Sequence, residues 1–405
     1  MKGAIYAIGN EILEGSIVDT NSAYIAKVLS DFGIKIMEIK ALPDDKELLV
    51  HQFMYALSNY DITITTGGLG PTFDDLTAEA VSEAAGEEFV FYENVYSSIV
   101  EKLSSRGVAI KETHKRQAYL PKNATLFENK KGTAYGFGVE KDKKWIISMP
   151  GIPYEMKYMF EDYVIPFLKQ QFQLKQFFKK DLKFMGIPES DVDDVITKLN
   201  KPDDVEIIIN VSKGMIIVRL RSYNYENLVL LADSLKKELR SFYFGEDDDT
   251  IESVVLRKLF ERGYTVATAE SCTGGLIAKK ITDIPGSSKT FKGSVVAYSN
   301  EIKERLLNVQ SETLEKFGAV SEECCKEMVY GCYEQFKTDV AIATTGIAGP
   351  DGGSKDKPVG TIFIGVKIKD DLLINKYQFS GDRDTVRERT ANMAFKLLLE
   401  KLKED

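Results

Sequence analysis

Short apolar runs alternate with stretches of helical spacing through the first 85 residues, and this alternation limits the possible folds more than any other feature of the chain. Residues 3–8 form an apolar run that stops at Gly9. After Asp19 and Thr20, which suit a helix cap, Tyr24, Ile25, Val28, Leu29 and Phe32 recur at helical spacing. Residues 34–42 read as a strand, 45–58 as a helix and 61–66 as a β-branched strand. Gly67-Gly-Leu-Gly70 ends that strand, and a helix follows over 77–85. Such alternation predicts a mostly parallel sheet covered on both faces. Ligands of these sheets bind beyond the C-terminal strand ends, where the glycine loop is expected.

With 405 residues the chain is too long for one ordinary core. A Gln/Phe/Lys-rich stretch near 170–180 marks a boundary. Beyond it, a helix (188–199), two strands (205–211 and 215–221) across a Ser212-Lys-Gly214 turn, and a helix (224–242) make a small α-β-β-α unit. This resembles the KH-like arrangement but lacks its G-x-x-G loop, which argues against RNA clamping and for a connector or dimerisation module. Glu246-Asp-Asp-Asp249 reads as a linker. After it come a helix (250–262), a strand (264–269), strand-like runs (293–299, 339–344, 360–368) and a closing helix (385–402). The expectation is two α/β domains, 1–172 and 247–405, joined by a small α+β unit over 173–246.

Composition narrows the function. A net charge of −9 without a basic stripe counts against coating nucleic acid. No apolar run reaches the roughly 18 residues of a membrane span, and the N-terminus does not resemble a secretion signal. Cys272, Cys324, Cys325 and Cys332 have no zinc-ligand spacing, so reduced thiols and a cytoplasmic location are expected.

One chemical motif is Thr65-Thr-Gly-Gly-Leu-Gly-Pro-Thr-Phe-Asp-Asp-Leu-Thr77. Gly67, Gly68 and Gly70 would let backbone N–H groups turn toward an anion, with Thr72 beside them. Asp74 and Asp75 suit a divalent ion such as Mg²⁺, which usually takes one or two carboxylates plus substrate phosphates. The bland alternative is that they cap the following helix. Glu11, Asp19 and Asn21 follow the first strand and are candidates for the same crevice, as further metal ligands (Glu11, Asp19) and a ligand contact (Asn21); Asp19 is equally explained as a cap. Phe73 stands where a dinucleotide fingerprint needs a third glycine, and no Gly-Lys-Ser/Thr follows to make a P-loop.

The other lies in Thr268-Ala-Glu-Ser-Cys-Thr-Gly-Gly275, Ala297-Tyr-Ser-Asn-Glu-Ile-Lys303 and Thr345-Gly-Ile-Ala-Gly-Pro-Asp-Gly-Gly353. Ser271 sits at a strand end before a glycine turn, a place that exposes a hydroxyl and directs N–H groups of Thr273, Gly274 and Gly275 at an oxyanion. The chain's only histidines are His51 and His114, so Ser271 needs another base. Lys303 is the leading candidate, provided burial beside a donor such as Tyr298 lowers its pKa. Thr345 can add a hydrogen bond, and Asn300 lies near. Cys272 is a rival nucleophile without a histidine to activate it. Gly346, Gly349, Gly352 and Gly353 offer a phosphate cradle, and Arg383, Arg387 and Arg389 a positive field; a long turn and a charged helix face are the plainer alternatives.

Ile8-Gly-Asn-Glu11, Asp19-Thr-Asn21, the Thr-Gly-Gly-Leu-Gly-Pro-Thr run and Pro150-Gly-Ile-Pro153 resemble the molybdopterin-binding-like domain of the competence/damage-inducible CinA family. Ser271, Lys303 and the Thr345 loop, with Val320-Ser-Glu-Glu323 and Phe379-Ser-Gly-Asp-Arg383, resemble that family's nicotinamide-nucleotide amidase domain. The resemblance implies a metal-dependent ADP-ribose pyrophosphatase in front, with Asp75 and Asp74 at the family's acidic positions. It implies a serine amidase behind, in which Ser271 attacks the carboxamide of nicotinamide mononucleotide, assisted by Lys303 and Tyr298, without a cofactor. A homodimer acting on small phosphorylated nucleotides is expected. Tyr135 stands where the family usually has proline. Two alternatives remain: a non-catalytic nucleotide- or pterin-binding N-terminal domain, or a competence and recombination accessory.

Overall fold

The computed structural model describes residues 1–212 and 214–404, so Lys213 of the expected turn lies outside the described residues. The chain divides into two compact units, Met1–Phe177 and Phe178 onward. No helix among the described residues is long and apolar enough to cross a membrane.

The first unit is built on β1 (Lys2–Ile8), β2 (Lys35–Leu42) and β3 (Ile62–Thr66), with β4 (Phe89–Phe91) and β5 (Tyr119–Pro121) forming a separate antiparallel pair. β6 (Thr125–Phe127), β7 (Gly136–Lys141) and β8 (Lys144–Met149) complete a six-stranded sheet of order β2-β1-β3-β8-β7-β6. The pairs β1–β2, β1–β3 and β3–β8 are parallel, whereas β7 runs antiparallel to β6 and β8. Alternation along β1 sends Ala4, Tyr6 and Ile8 to one core and Ile5 to the other. The first core holds Leu49 and Phe53 of the helix Lys46–Asn59 and Val81 of the helix Thr77–Ala85. The second holds Ile25 and Leu29 of the helix Thr20–Ser30 with Met156 and Phe160. Each fully buried Ile, Leu or Phe in these layers contributes about 1.5–3 kcal/mol. The expected helix over 77–85 forms with those bounds.

In the second unit, β9 (Phe178–Met185), β10 (Glu206–Ser212), β11 (Met215–Ser222) and β12 (Tyr243–Glu246) make an antiparallel sheet of order β10-β11-β9-β12. It packs its own core, Leu182, Val218 and Leu231 among them, under the helices Glu189–Lys198 and Tyr225–Glu238. The sequence pattern showed only the two middle strands, because β9 alternates lysines with its apolar residues and β12 is four residues long. The acidic run is a correction: it is a tethered turn rather than a loose linker. Asp249 accepts N–H from Glu246 (3.2 Å) and pairs with Arg257 at 3.0 Å, while Asp247 accepts N–H from Asp181 (3.0 Å).

The remaining sheet has the order β14-β13-β15-β16-β17: β13 (Val266–Glu270), β14 (Phe291–Val296), β15 (Val340–Gly346), β16 (Thr361–Ile368) and β17 (Asp371–Gln378). β13 lies parallel to β14 and β15, and β16 and β17 extend the sheet antiparallel. One face buries Leu259 of the helix Ile251–Arg262 and Phe395 of the helix Arg383–Glu404. The other buries Leu307 of the helix Asn300–Leu307 and Met328 of the helix Glu322–Phe336. The molecule thus carries two α/β layers and one smaller α+β layer.

Candidate functional site

Beyond the C-terminal ends of β1, β3 and β8 lies a cleft of about 550 Å³. Gly67 turns the chain there with φ +102, and a Cβ on it would sit 2.1 Å from the Ile8 carbonyl oxygen, so only glycine lets the two strand ends approach. Every expected N-terminal residue lines this cleft: Glu11, Asp19, Asn21, Gly67, Gly68, Gly70, Thr72, Asp74 and Asp75.

Their bonding departs from expectation in two respects. Gly70 N and Thr72 N do turn inward on an anion, but that anion is the Asp75 carboxylate, at 2.7 Å each. Asp74 and Asp75 do not cap the helix Thr77–Ala85, whose N-cap is Leu76 without a side-chain bond. The Thr72 hydroxyl bonds both carboxylates and holds Asp74 below the usual carboxylate range. Asp19 is a cap, accepting Ser22 N–H at 3.0 Å, and it lines the cleft as well.

The structure adds three groups that the sequence did not single out: Asp44, Gln117 and Glu155. Asp44 was hidden behind its neighbour Asp45, which is the visible helix cap. Burial pushes Asp44 upward, and the charges of Glu11, Asp74 and Asp75 act the same way against the opposing Asn10 N–H. Glu155 is buried against Asn129 Nδ2 at 2.6 Å, and a Cβ on Gly132 would fall 2.1 Å from its carboxylate. Tyr135 donates to Ser98 Oγ at 3.2 Å, and Lys102 stands 5.1 Å from its ring, so the aromatic ring takes up packing where a proline would only stiffen a turn.

Six carboxylates therefore face one cleft, and none of its lining residues is Lys, Arg or His. A bare diphosphate would be repelled there. Hard oxygen donors of this kind fit a divalent cation. Among the described residues no three acidic, His or Cys groups already converge on one point, so such an ion would share its ligands with substrate oxygens.

The other cluster sits where β13, β14 and β15 end, around a pocket of about 200 Å³ lined by Ser271, Tyr298, Asn300, Lys303, Thr345, Gly346 and Arg383, with Cys272. Ser271 follows β13 directly, and its N–H donates to Thr344 O at 2.9 Å. Lys303 comes from the first turn of the helix Asn300–Leu307, which Ser299 caps, and is 1% exposed. Its Nζ lies 3.1 Å from Ser271 Oγ, 2.8 Å from Ala297 O and 3.4 Å from Tyr298 O. Burial lowers its pKa. A neutral amine has two N–H donors and one lone pair. With the donors on the two carbonyls, the lone pair is left for the serine hydroxyl.

Tyr298 is corrected in its surroundings. Its phenol is 64% exposed and accepts from Arg383 Nη2 at 2.9 Å; only its backbone carbonyl meets Lys303. Arg383 also donates to Gly349 O at 2.6 Å, bridging the pocket mouth. Thr345 turns its hydroxyl to Ala319 O (2.6 Å), and Thr273 turns inward to Thr344 Oγ1 (2.7 Å). Gly274 and Gly275, at φ +58 and +90, delay the helix to Leu276. The first N–H groups of that helix are already bonded: Ile277 N and Ala278 N donate to the buried Glu270 carboxylate at 3.1 and 2.8 Å. Arg387 donates to Thr273 O and Arg389 to Ser380 O, so of the three arginines only Arg383 lines the pocket; Gly349, Gly352 and Gly353 do not line it. Burial raises the Cys272 thiol to about 12, which leaves it protonated and inert beside Ser271.

Residues 4–170 match the family described as "Probable molybdopterin binding domain", and residues 248–402 match "CinA C-terminal domain". A "CinA-like protein" from Thermosipho melanesiensis is 42% identical over 403 residues, covering 98% of each chain. A "Putative competence-damage inducible protein" from Caldicellulosiruptor saccharolyticus is 38% identical over 405 residues, again covering 98% of each. The solved competence/damage inducible protein CihA from Agrobacterium tumefaciens is 37% identical with a TM-score of 0.37, over 38% of this chain and 93% of that one.

Proposed function

The chain belongs to the CinA family of competence/damage-inducible proteins, and on that premise we propose that it is a two-site hydrolase of pyridine-nucleotide salvage. The C-terminal site deamidates nicotinamide mononucleotide to nicotinate mononucleotide and ammonia. The observation that carries this reading is the buried Lys303 amine 3.1 Å from Ser271 Oγ, in a pocket without histidine.

Neutral Lys303 takes the Ser271 proton as Oγ bonds to the carboxamide carbon. The ammonium formed is held by Ala297 O and Tyr298 O, then returns the proton to the departing nitrogen, releasing ammonia and leaving an ester on Ser271. Water, deprotonated by the same amine, attacks the ester carbon; Ser271 recovers its proton and the nicotinate carboxylate leaves. Arg383 at the mouth supplies the charge for the ligand phosphate. Ammonia release from nicotinamide mononucleotide, measured beside Ser271→Ala, tests the proposal. Equal release from both proteins, or none from folded wild type, would discard it.

The N-terminal cleft hydrolyses ADP-ribose to AMP and ribose 5-phosphate in this reading. A divalent ion held by Asp74, Asp75, Glu11 and Asp19 would offset the diphosphate charge and activate water. The all-carboxylate lining supports the need for such an ion. Nucleotide release from ADP-ribose, lost in Asp75→Asn, is the test.

A further inference from the structure

The N-terminal cleft has two chemically different parts, and a diphosphate with its cation accounts for only one. Its interior offers oxygen acceptors. Its mouth is apolar: Ile17, Val18 and Ile152 line the same cleft yet stand 56%, 81% and 50% exposed. A single exposed aliphatic side chain is ordinary, but three bordering one polar cleft form a surface that the fold itself leaves uncovered.

That surface is anchored. Ser16 N and Ile17 N donate to Glu11 O at 3.0 and 3.3 Å. Asp19, next to Val18, caps the helix Thr20–Ser30. Asn21 of the same helix donates Nδ2 to Gly151 O at 2.7 Å, fixing the loop that carries Ile152. One buried side chain thus ties both apolar walls together.

We infer that this mouth is a nucleobase subsite: the flat faces of the base of a nucleoside diphosphate ligand pack on Ile17, Val18 and Ile152 while its diphosphate lies over the carboxylates. This rests on the reading of the cleft as an ADP-ribose site. A base suits the place because its faces are weakly polar and its edges stay solvated. Sugar hydroxyls would find no hydrogen-bond partner on these side chains. A cleft of about 550 Å³ also has room for more than a diphosphate.

The test is calorimetric titration of the full-length protein in Mg²⁺ with AMP, which carries the base, and with ribose 5-phosphate, which does not. The Val18→Ser/Ile152→Ser double variant should bind AMP about tenfold more weakly, with ribose 5-phosphate affinity unchanged. Both positions are exposed, so the thermal midpoint should hold and serve as the folding check. AMP affinity indifferent to the substitutions, equal loss for both ligands, or a wild type that binds no AMP would overturn the subsite. A protein that passes this test but fails to split ADP-ribose keeps the subsite and loses the hydrolytic reading; one that turns over ADP-ribose with unchanged AMP affinity does the reverse.

Discussion

Lys303 carries the most chemistry of any residue in the chain because burial works on it in one direction. Removing the ammonium from water disfavours its charged form and lowers its pKa. As the base must be neutral, kcat/KM for ammonia release should rise with pH through that lowered value and level off below the ordinary lysine range. A rate still climbing as a solvated lysine would titrate would contradict it. Lys303→Met should reduce turnover by about 10²–10⁴-fold. Linkage gives the sign for stability. The folded state binds fewer protons than the unfolded, so Lys303 is least favourable below its folded-state pKa, and the penalty lifts as pH rises toward the unfolded value. Lys303→Met should therefore hold or raise the urea midpoint near neutral pH while abolishing activity. Cys272→Ala separates the two neighbouring nucleophiles: with its thiol raised to about 12, ammonia release should survive, whereas Ser271→Ala should lose at least about 10³-fold.

At the scale of elements, both sites depend on how a strand hands over to a helix. After β13 the handover is held by Glu270, whose buried carboxylate takes two N–H groups of the helix Leu276–Thr282. Glu270→Ala would leave those donors unpaired in the core and should destabilise the chain by about 2–4 kcal/mol, read as a shifted urea transition. After β3 the handover is made by Gly67. Gly67→Ala drives a methyl into the Ile8 carbonyl, so ADP-ribose hydrolysis should fall by at least about tenfold while ammonia release continues. The helix caps at Asp19 and Asp45 were legible as residues because capping is local. Glu270 was not, since nothing in its neighbourhood says that a glutamate ending a strand will fold onto a helix six residues later.

For the whole molecule, the two sites should answer differently to chelation. Stripping divalent ions with EDTA should abolish ADP-ribose hydrolysis and leave ammonia release intact, because the Ser271–Lys303 pair uses only proton transfer. Loss of both activities, or of neither, would refute that division. Order along the chain, the parallel centres of the two α/β sheets and the candidate residues were all readable from strand–helix alternation and glycine loops. Periodicity and caps are properties of neighbouring residues, so the sequence carries them openly. What only the tertiary structure decided is which distant groups meet, and in which direction they point. It brought Asp44 and Glu155 beside Asp75, gave the Gly70 and Thr72 amides to Asp75, and turned the Tyr298 phenol to Arg383 rather than to Lys303. Those outcomes depend on packing between segments far apart in the chain, and hydrogen-bond partners are settled only when burial removes water as the competitor.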